Sequence, residues 1–315
     1  MKTVIPIFFT ANDAQSPFVA TALCSIKENA SPDYTYQVHI LFDDISEDKR
    51  NRILALAEAG FCIEFNPLAA CLPLLPGVQT LQRSDPGAYA TLTNHLCFFI
   101  PDLFPQYDKA VCLDTDLVVT GDISCLYREY LGTKLVGAVV DSSIQKVSPV
   151  LRYIDTYIGV DHQNYVNSGV LLLNSVQFRS QHFAARFMDL WANTHLDTVV
   201  PCQDWLNALC RQEIHYLDPE WNAMPSDCIQ HMDDPKIVHF CWVSKPWQNE
   251  CVPYDSLFWR YAAASGFDKE IRSYRQSYLQ NPTAIKNTHD AITNLIRKAA
   301  RLTVAPESFR SLSAV

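Results

Sequence analysis

A chain of 315 residues, 48% hydrophobic and 19% charged, can bury one large core with a smaller extension, and this balance excludes a disordered chain. Its formal charge of −9 excludes a general nucleic-acid binder. The charge is uneven: from Lys269 to Val315 eight Lys and Arg stand against three Asp and Glu, so the tail is basic and the remainder strongly acidic.

In chain order, Val4–Thr10 reads as a buried strand and Pro17–Glu28 as an amphipathic helix with Phe18, Ala22 and Ile26 on its apolar side. Tyr36–Phe42 is a second strand. Glu47–Ala59 is a second helix, opened at Ser46 by half a capping box in which Lys49 replaces the usual Glu. Phe61–Phe65 is a third strand. Strands alternating with helices of this length predict an α/β fold, a mostly parallel sheet flanked by helices. Residues 66–90, with Pro67, Pro73, Pro76 and Pro86, read as irregular, and a helix follows through about Leu103. Further strands are predicted at Val111–Leu113, Leu135–Val140, Val170–Asn174 and Ile237–Cys241, and helices at Gln177–Asn193 and Gln203–Arg211. Beyond Asp255 the chain reads as helical and basic. The acidic ends of several strands converge on one sheet edge, where open α/β sheets bind ligands.

Eleven cysteines without a C-x-x-C fit thiols in a reducing compartment better than a disulfide framework, and no Cys/His spacing suggests structural zinc. The N-terminus begins on a strand and does not read as a signal peptide, and no apolar run approaches a membrane span. The expectation is a cytoplasmic protein, with peripheral contact to the inner face of the membrane as the added option.

Four segments carry candidate chemistry, each with a plain structural alternative. Asp114 and Asp116 end the Val111–Leu113 strand; at i and i+2 two carboxylates share a face and suit Mg2+ or Mn2+ bridging a diphosphate, or else form a solvated strand exit. His239 ends an apolar strand and Lys245 follows; they suit a third metal ligand and a phosphate contact, or a hydrogen-bonded histidine and an exposed turn. In Tyr165-Val-Asn-Ser-Gly-Val-Leu-Leu-Leu-Asn174, Gly169 permits close approach of a ligand and Asn167 can bond hydroxyls, or the step is a tight turn. Gln203 and Asp204 open a helix, where Asp204 can simply serve the dipole.

Taken together and in order, Asp-x-Asp, Asn-Ser-Gly-Val-Leu-Leu-Leu-Asn, Gln-Asp-x-Leu-Asn and His-x5-Lys-Pro-Trp resemble the retaining glycosyltransferases of family 8, whose bacterial members include lipopolysaccharide galactosyl- and glucosyltransferases. The resemblance runs from about Val4 to Trp247 and takes in Ile5–Asp13, His39–Glu47 and Gly137–Asp141. It implies a GT-A type catalytic domain over residues 1–254, followed by a helical basic extension over 255–315. It also implies a UDP-sugar donor, a saccharide acceptor that is lipid-linked in some members, and Mn2+, with Mg2+ as the alternative ion. By position, Asp114, Asp116 and His239 would ligate the metal and Lys245 would contact the diphosphate. Thr10, Ala11, Asn12 and Asp13 would hold uridine, with Thr115 beside the donor. Asp141, Asn167, Ser168 and Gly169 would line the sugars, and Gln203 and Asp204 would carry the catalytic roles. The expected reaction is transfer of galactose or glucose with retention, acceptor attack coming from the face of the leaving phosphate.

Four positions depart from the family pattern. Asn12-Asp13-Ala14-Gln15 stands where Asp-Asp-Asn-Tyr is usual, Cys97 replaces an Arg, Cys202 an Asp and Trp242 a Gly. Losing a guanidinium fork and a carboxylate acceptor predicts a rebuilt sugar pocket and altered donor choice. Two other functions remain open at this point: a catalytically silent relative serving as partner or scaffold, and a transferase that modifies proteins. The tail adds a separate question. Asp290–Val304 sets Ile292, Leu295, Ile296, Ala299 and Leu302 on one side, with Arg297, Lys298 and Arg301 on or beside the other. That helix either lies on an anionic leaflet or packs on the main domain.

Overall fold

The computed structural model describes residues 2–75, 93–194, 196–225 and 232–314. Among these, nine strands form a seven-stranded sheet and a two-stranded ladder. The strands are β1 (Thr3–Ala11), β2 (Tyr34–Phe42), β3 (Phe61–Pro67), β4 (Ala110–Leu113), β5 (Leu117–Val119), β6 (Val136–Val140), β7 (Val166–Leu173), β8 (Ile214–Tyr216) and β9 (Ile237–His239). The large sheet runs β3-β2-β1-β4-β7-β6-β8, and β5 pairs with β9. From β3 to β4 neighbours are parallel, β7 is antiparallel to both β4 and β6, and β8 is parallel to β6.

Alternation along the strands divides the core in two. In β1, Ile5, Ile7, Phe9 and Ala11 join one apolar cluster while Phe8 joins the other; in β4, Val111 and Leu113 face one way, Ala110 and Cys112 the other. The first face is covered by helices α1 (Ser16–Glu28) and α2 (Glu47–Leu54), and by a helix near the C-terminus introduced below. The second is covered by α3 (Phe183–Asn193) and α4 (Pro201–Leu209). Each fully buried Leu, Ile or Phe contributes roughly 1.5–3 kcal/mol of transfer free energy, so burial on both faces accounts for the apolar strands.

Several boundaries differ from the sequence expectation. The Gln177–Asn193 helix is two helices, Ser175–Ser180 and α3, because His182 takes a left-handed conformation with φ 50°. The second helix stops at Leu54 instead of Ala59. Ser46 caps it without a side-chain bond, and Lys49 reaches Asp13 at 2.7 Å instead. Strand β7 starts at Val166, so Asn167, Ser168 and Gly169 lie inside the strand and not in a turn before it. Between Leu68 and Leu74 the irregular segment contains two short helical turns. Pro76, Pro86 and the start of the following helix lie outside the described residues.

The tail is three α-helices, α5 (Asp255–Ala264), α6 (Asp268–Leu279) and α7 (Pro282–Leu302), and a final 3-10 helix, Phe309–Ala314. Phe258, Tyr261 and Ala262 of α5 join the same apolar cluster as α1. In α7, Ala299 and Leu302 are buried and Ile292, Leu295 and Ile296 are half-buried. Lys298 reaches Asp197 at 2.5 Å, while Arg297 and Arg301 are exposed. Of the two readings open for this helix, the structure has the one packed on the domain. Among the described residues no helix is long and apolar enough to cross a membrane.

Candidate active site

The site forms where β4 ends and β5 begins. Asp114 and Asp116 flank a bend between the strands instead of sharing one strand, because the chain leaves the large sheet there to pair with β9. The β5–β9 register sets Leu117 opposite His239, and Phe240 N–H donates to Asp116 C=O at 2.8 Å. On the other side, Asp114 N–H donates to Gly169 C=O at 2.8 Å. Two ladders thus bring three side chains to one point. His239 Nε2 lies 3.2 Å from Asp116 Oδ1 and 3.6 Å from Asp114 Oδ2, and ligand atoms of all three residues lie within 4.8 Å of one another.

Two carboxylates and an imidazole are a hard-to-borderline donor set that suits Mn2+ or Mg2+. The Lys245 ammonium is paired with Asp116 Oδ2. Burial works against the Asp116 charge, but Lys245 and His239 outweigh it and hold this carboxyl well below the usual range. Burial also opposes protonation of His239, but the Asp116 and Asp114 carboxylates prevail and raise it. Asp114, Asp116, His239 and Lys245 thus form one group of opposite charges at the end of β4.

Behind the cluster runs a buried chain of amides. His239 Nδ1 lies 3.1 Å from Asn222 Oδ1, Asn222 Nδ2 donates to Asn167 Oδ1 at 2.9 Å, and Asn167 Nδ2 donates to Asp141 Oδ2 at 3.1 Å. Gln203 Nε2 donates to the same Asp141 oxygen at 2.8 Å, while Gln203 Oε1 accepts from Ser168 N–H at 3.1 Å. Asp141, Asn167, Ser168 and Gln203 are therefore one network, with Asp141 completely buried. The bulge in β6 between Ala138 and Val140 places Asp141 at that point. Gly169 leaves room for the cluster itself: a Cβ there would overlap His239 Cε1 and stand 2.8 Å from Asp114 Oδ2.

Asp204 lies behind Gln203. Its carboxylate accepts from Tyr153 OH at 2.9 Å, Tyr165 OH at 2.6 Å, and the N–H groups of Val199 and Val200 at 2.7 and 2.8 Å. Burial raises its carboxyl to about 6 against these four donors. Tyr153, Tyr165 and Asn222 carry no chemical motif of their own; only the fold reveals them.

A pocket of about 490 Å3 opens beside Asp114, lined by Thr10, Ala11, Asn12, Ser168, Cys97 and Cys202 among others. Asp13 is turned away from it: its carboxylate accepts from Ser46 N–H at 3.0 Å and from Lys49. Thr115 is buried between Asp114 and Asp116. A second, smaller cavity of about 180 Å3 adjoins Gln203 on the other side, walled by Tyr153, Trp242 and the apolar side of α7. Trp242 keeps a glycine-like backbone, φ 53°, and its indole N–H donates to Ser143 Oγ at 3.0 Å.

A mostly parallel sheet with one reversed inner strand, carrying an Asp-x-Asp and a histidine at the end of β4, has the architecture of a GT-A glycosyltransferase. The fold superposes on the WbbM bifunctional glycosyltransferase with a TM-score of 0.71 at 19% identity, over 87% of this chain and 52% of that one. It superposes on the galactosyltransferase LgtC, solved with donor and acceptor sugar analogues, with a TM-score of 0.63 at 22% identity over 82% and 96%. The glycosyl transferase family 8 pattern matches residues 6–251, and the chain belongs to that family. It is 24% identical to General stress protein A of Bacillus subtilis over 280 residues, spanning 82% of this chain and 93% of that protein. It is 25% identical to the probable galacturonosyltransferase 14 of Arabidopsis thaliana, covering only 37% of that longer protein.

Proposed function

We propose that this family 8 glycosyltransferase moves a hexose, galactose or glucose, from a UDP-sugar to a hydroxyl of a saccharide acceptor, with retention and with Mn2+. The acceptor class is a surface glycan of the lipopolysaccharide kind, made at the cytoplasmic face of the membrane. The observation that carries this reading is the meeting of Asp114, Asp116 and His239 with Lys245 beside them.

The bound cation would supply Lewis-acid stabilisation of the diphosphate leaving group. Asp114, Asp116 and a neutral His239 would hold it. Lys245, beside Asp116, would meet the diphosphate as a point charge and steady the negative charge that builds as the anomeric bond breaks. Thr10, Ala11 and Asn12 receive the nucleoside in the larger pocket, Asp13 fixes their loop through Lys49, and Thr115 backs the donor. Asp141, Asn167, Ser168 and Gly169 shape the sugar subsite. The Gln203 carbonyl faces the anomeric centre as its electron-rich neighbour, and Asp204 acts from behind as a positioning residue that fixes the helix carrying Gln203. Attack by the acceptor from the face of the leaving phosphate retains the configuration.

The test is UDP release by purified protein with Mn2+ across a panel of UDP-sugars, beside Asp116→Ala. Hydrolysis or transfer of one sugar that the substitution abolishes is the expected result. Absence of metal-dependent UDP binding in the unaltered chain would overturn the proposal in favour of a scaffold.

A further inference from the structure

Two of the departures from the family pattern, far apart in sequence, are neighbours in space. Cys97 Sγ and Cys202 Sγ are 3.1 Å apart, joining positions 105 residues distant. Cys97 lies in the short helical turn Leu96–Phe98 and Cys202 in the first turn of α4, next to Gln203. Both thiols are half-buried and both line the 490 Å3 pocket beside Asp114, so small solutes that enter the pocket reach them. A disulfide bond is about 2.0 Å long, so closing the pair requires the sulfurs to approach by about 1 Å. The ten described cysteines are all thiols.

We propose that Cys97 and Cys202 form a reversible disulfide across the donor pocket by exchange with a low-molecular-weight disulfide such as oxidised glutathione. The thiolate of one cysteine attacks a sulfur of the small disulfide, its S–S bond breaks, and one small thiol leaves. The other cysteine gives up its proton and attacks the protein sulfur of the mixed disulfide, and the second small thiol leaves. Two protein thiols lose two electrons and two protons, and one small disulfide becomes two thiols. The bond ties the wall of the pocket to the start of α4, so it fixes the helix from which Gln203 projects and removes two weak hydrogen-bonding groups from the pocket. Its effect on donor binding rests on the reading proposed above; its formation does not.

The full-length protein is equilibrated in glutathione buffers of graded poise, its remaining thiols are alkylated, and its peptides are mapped by mass spectrometry. The expected result is a Cys97–Cys202 linked peptide, a fall from eleven to nine titratable thiols in the unfolded, alkylated sample, and reversal by dithiothreitol. Cys97→Ser and Cys202→Ser each remove the linked peptide, while Cys251→Ser, at an exposed thiol, leaves it. The oxidised wild type melts at a higher temperature than the reduced form, and its apparent KM for the UDP-sugar shifts, both changes being absent in Cys97→Ser. Glutathione mixed disulfides at Cys97 or Cys202 without the link, or linkage no more frequent than in protein oxidised in urea, would overturn the proposal. Linkage without any UDP-sugar turnover would uphold the cross-link and count against the proposed donor chemistry instead.

Discussion

His239 and Asn222 meet at 3.1 Å, ring Nδ1 to side-chain oxygen, and the Asn222 amide passes the contact on to Asn167. When Nδ1 carries the proton and donates it to Asn222, the neutral ring turns the Nε2 lone pair toward Asp114 and Asp116. Asn222, at the end of the turn Pro219–Asn222, thus links the candidate metal ligand to the buried amides behind it.

Replacing Asn222 by Leu removes that acceptor and one of the two donors to the buried Asn167 Oδ1, the other being Gly169 N–H. Metal affinity should fall about 10- to 100-fold, the usual cost of losing a partner behind a metal histidine. Calorimetric titration of Mn2+ into the two proteins measures it, and equal affinities would remove Asn222 from the account.

At Gly169 the close approach belongs to the protein's own ligands. An alanine Cβ would press into the His239 ring, with Nδ1 at 2.7 Å and Asp114 Oδ2 at 2.8 Å. Gly169→Ala should therefore abolish metal-dependent UDP binding while the far-ultraviolet circular dichroism of the fold stays unchanged. Wild-type binding in this variant would show that β7 can yield, and the steric argument would fail.

Lys245 is paired with Asp116 in the cluster, so its removal should separate two measurements. In Lys245→Met, Asp116 loses its competing cation, and Mn2+ alone should bind more tightly than to the wild type. Turnover of UDP-sugar should drop by about 100- to 1,000-fold for want of a charge on the diphosphate. If both quantities fall together, Lys245 holds the site in shape and is not a competitor for it.

Asp204 links pH to stability. Its carboxyl is raised to about 6 in the fold from an ordinary value of 3.8, because burial disfavours the charge. The folded state thus binds this proton more firmly than the unfolded chain. Its contribution is complete below pH 4 and is lost as pH rises through 6, by up to about 3 kcal/mol. The free energy of unfolding should fall across pH 4–6 relative to Asp204→Asn, which has no such proton. A difference between the two that stays flat over this range would contradict the burial argument.

Because the apolar side of α7 is packed inward, this helix as placed offers a membrane its charges, through exposed residues such as Arg297 and Arg301. Flotation with vesicles should require anionic lipid and disappear at high salt. Salt-resistant flotation would mean that the helix leaves the domain and inserts its apolar side.

Strands β1, β2, β3, β4, β6, β7 and β9 were legible in the sequence as apolar runs, and Asp114, Asp116, His239 and Lys245 stood out through their order. What could not be read was how they meet. Strands β5 and β8 have three residues each, too few for a period to show, and the β5–β9 pairing that moves Asp116 beside His239 is a tertiary event. Cys97 and Cys202 stood out as two separate departures, and only the fold brings their sulfurs together. Asn222 looks like any turn residue until its partner is seen. Trp242, where a glycine is usual, occupies a left-handed backbone that disfavours a side chain by roughly 1–2 kcal/mol, and its indole bond to Ser143 accompanies that strain.

The β5–β9 ladder also imposes an order on assembly. Lys245 lies 129 positions beyond Asp116. A growing chain that emerges amino-end first can align β1, β2 and β4 and form one wall of the larger pocket long before His239 and Lys245 exist. The unpaired edge of β5 and two neighbouring carboxylates must wait, exposed, through the synthesis of more than a third of the molecule. Closing that ladder is the late step that turns a sheet into a site, and a nascent chain halted before residue 237 would keep most of the sheet with no place to hold a cation.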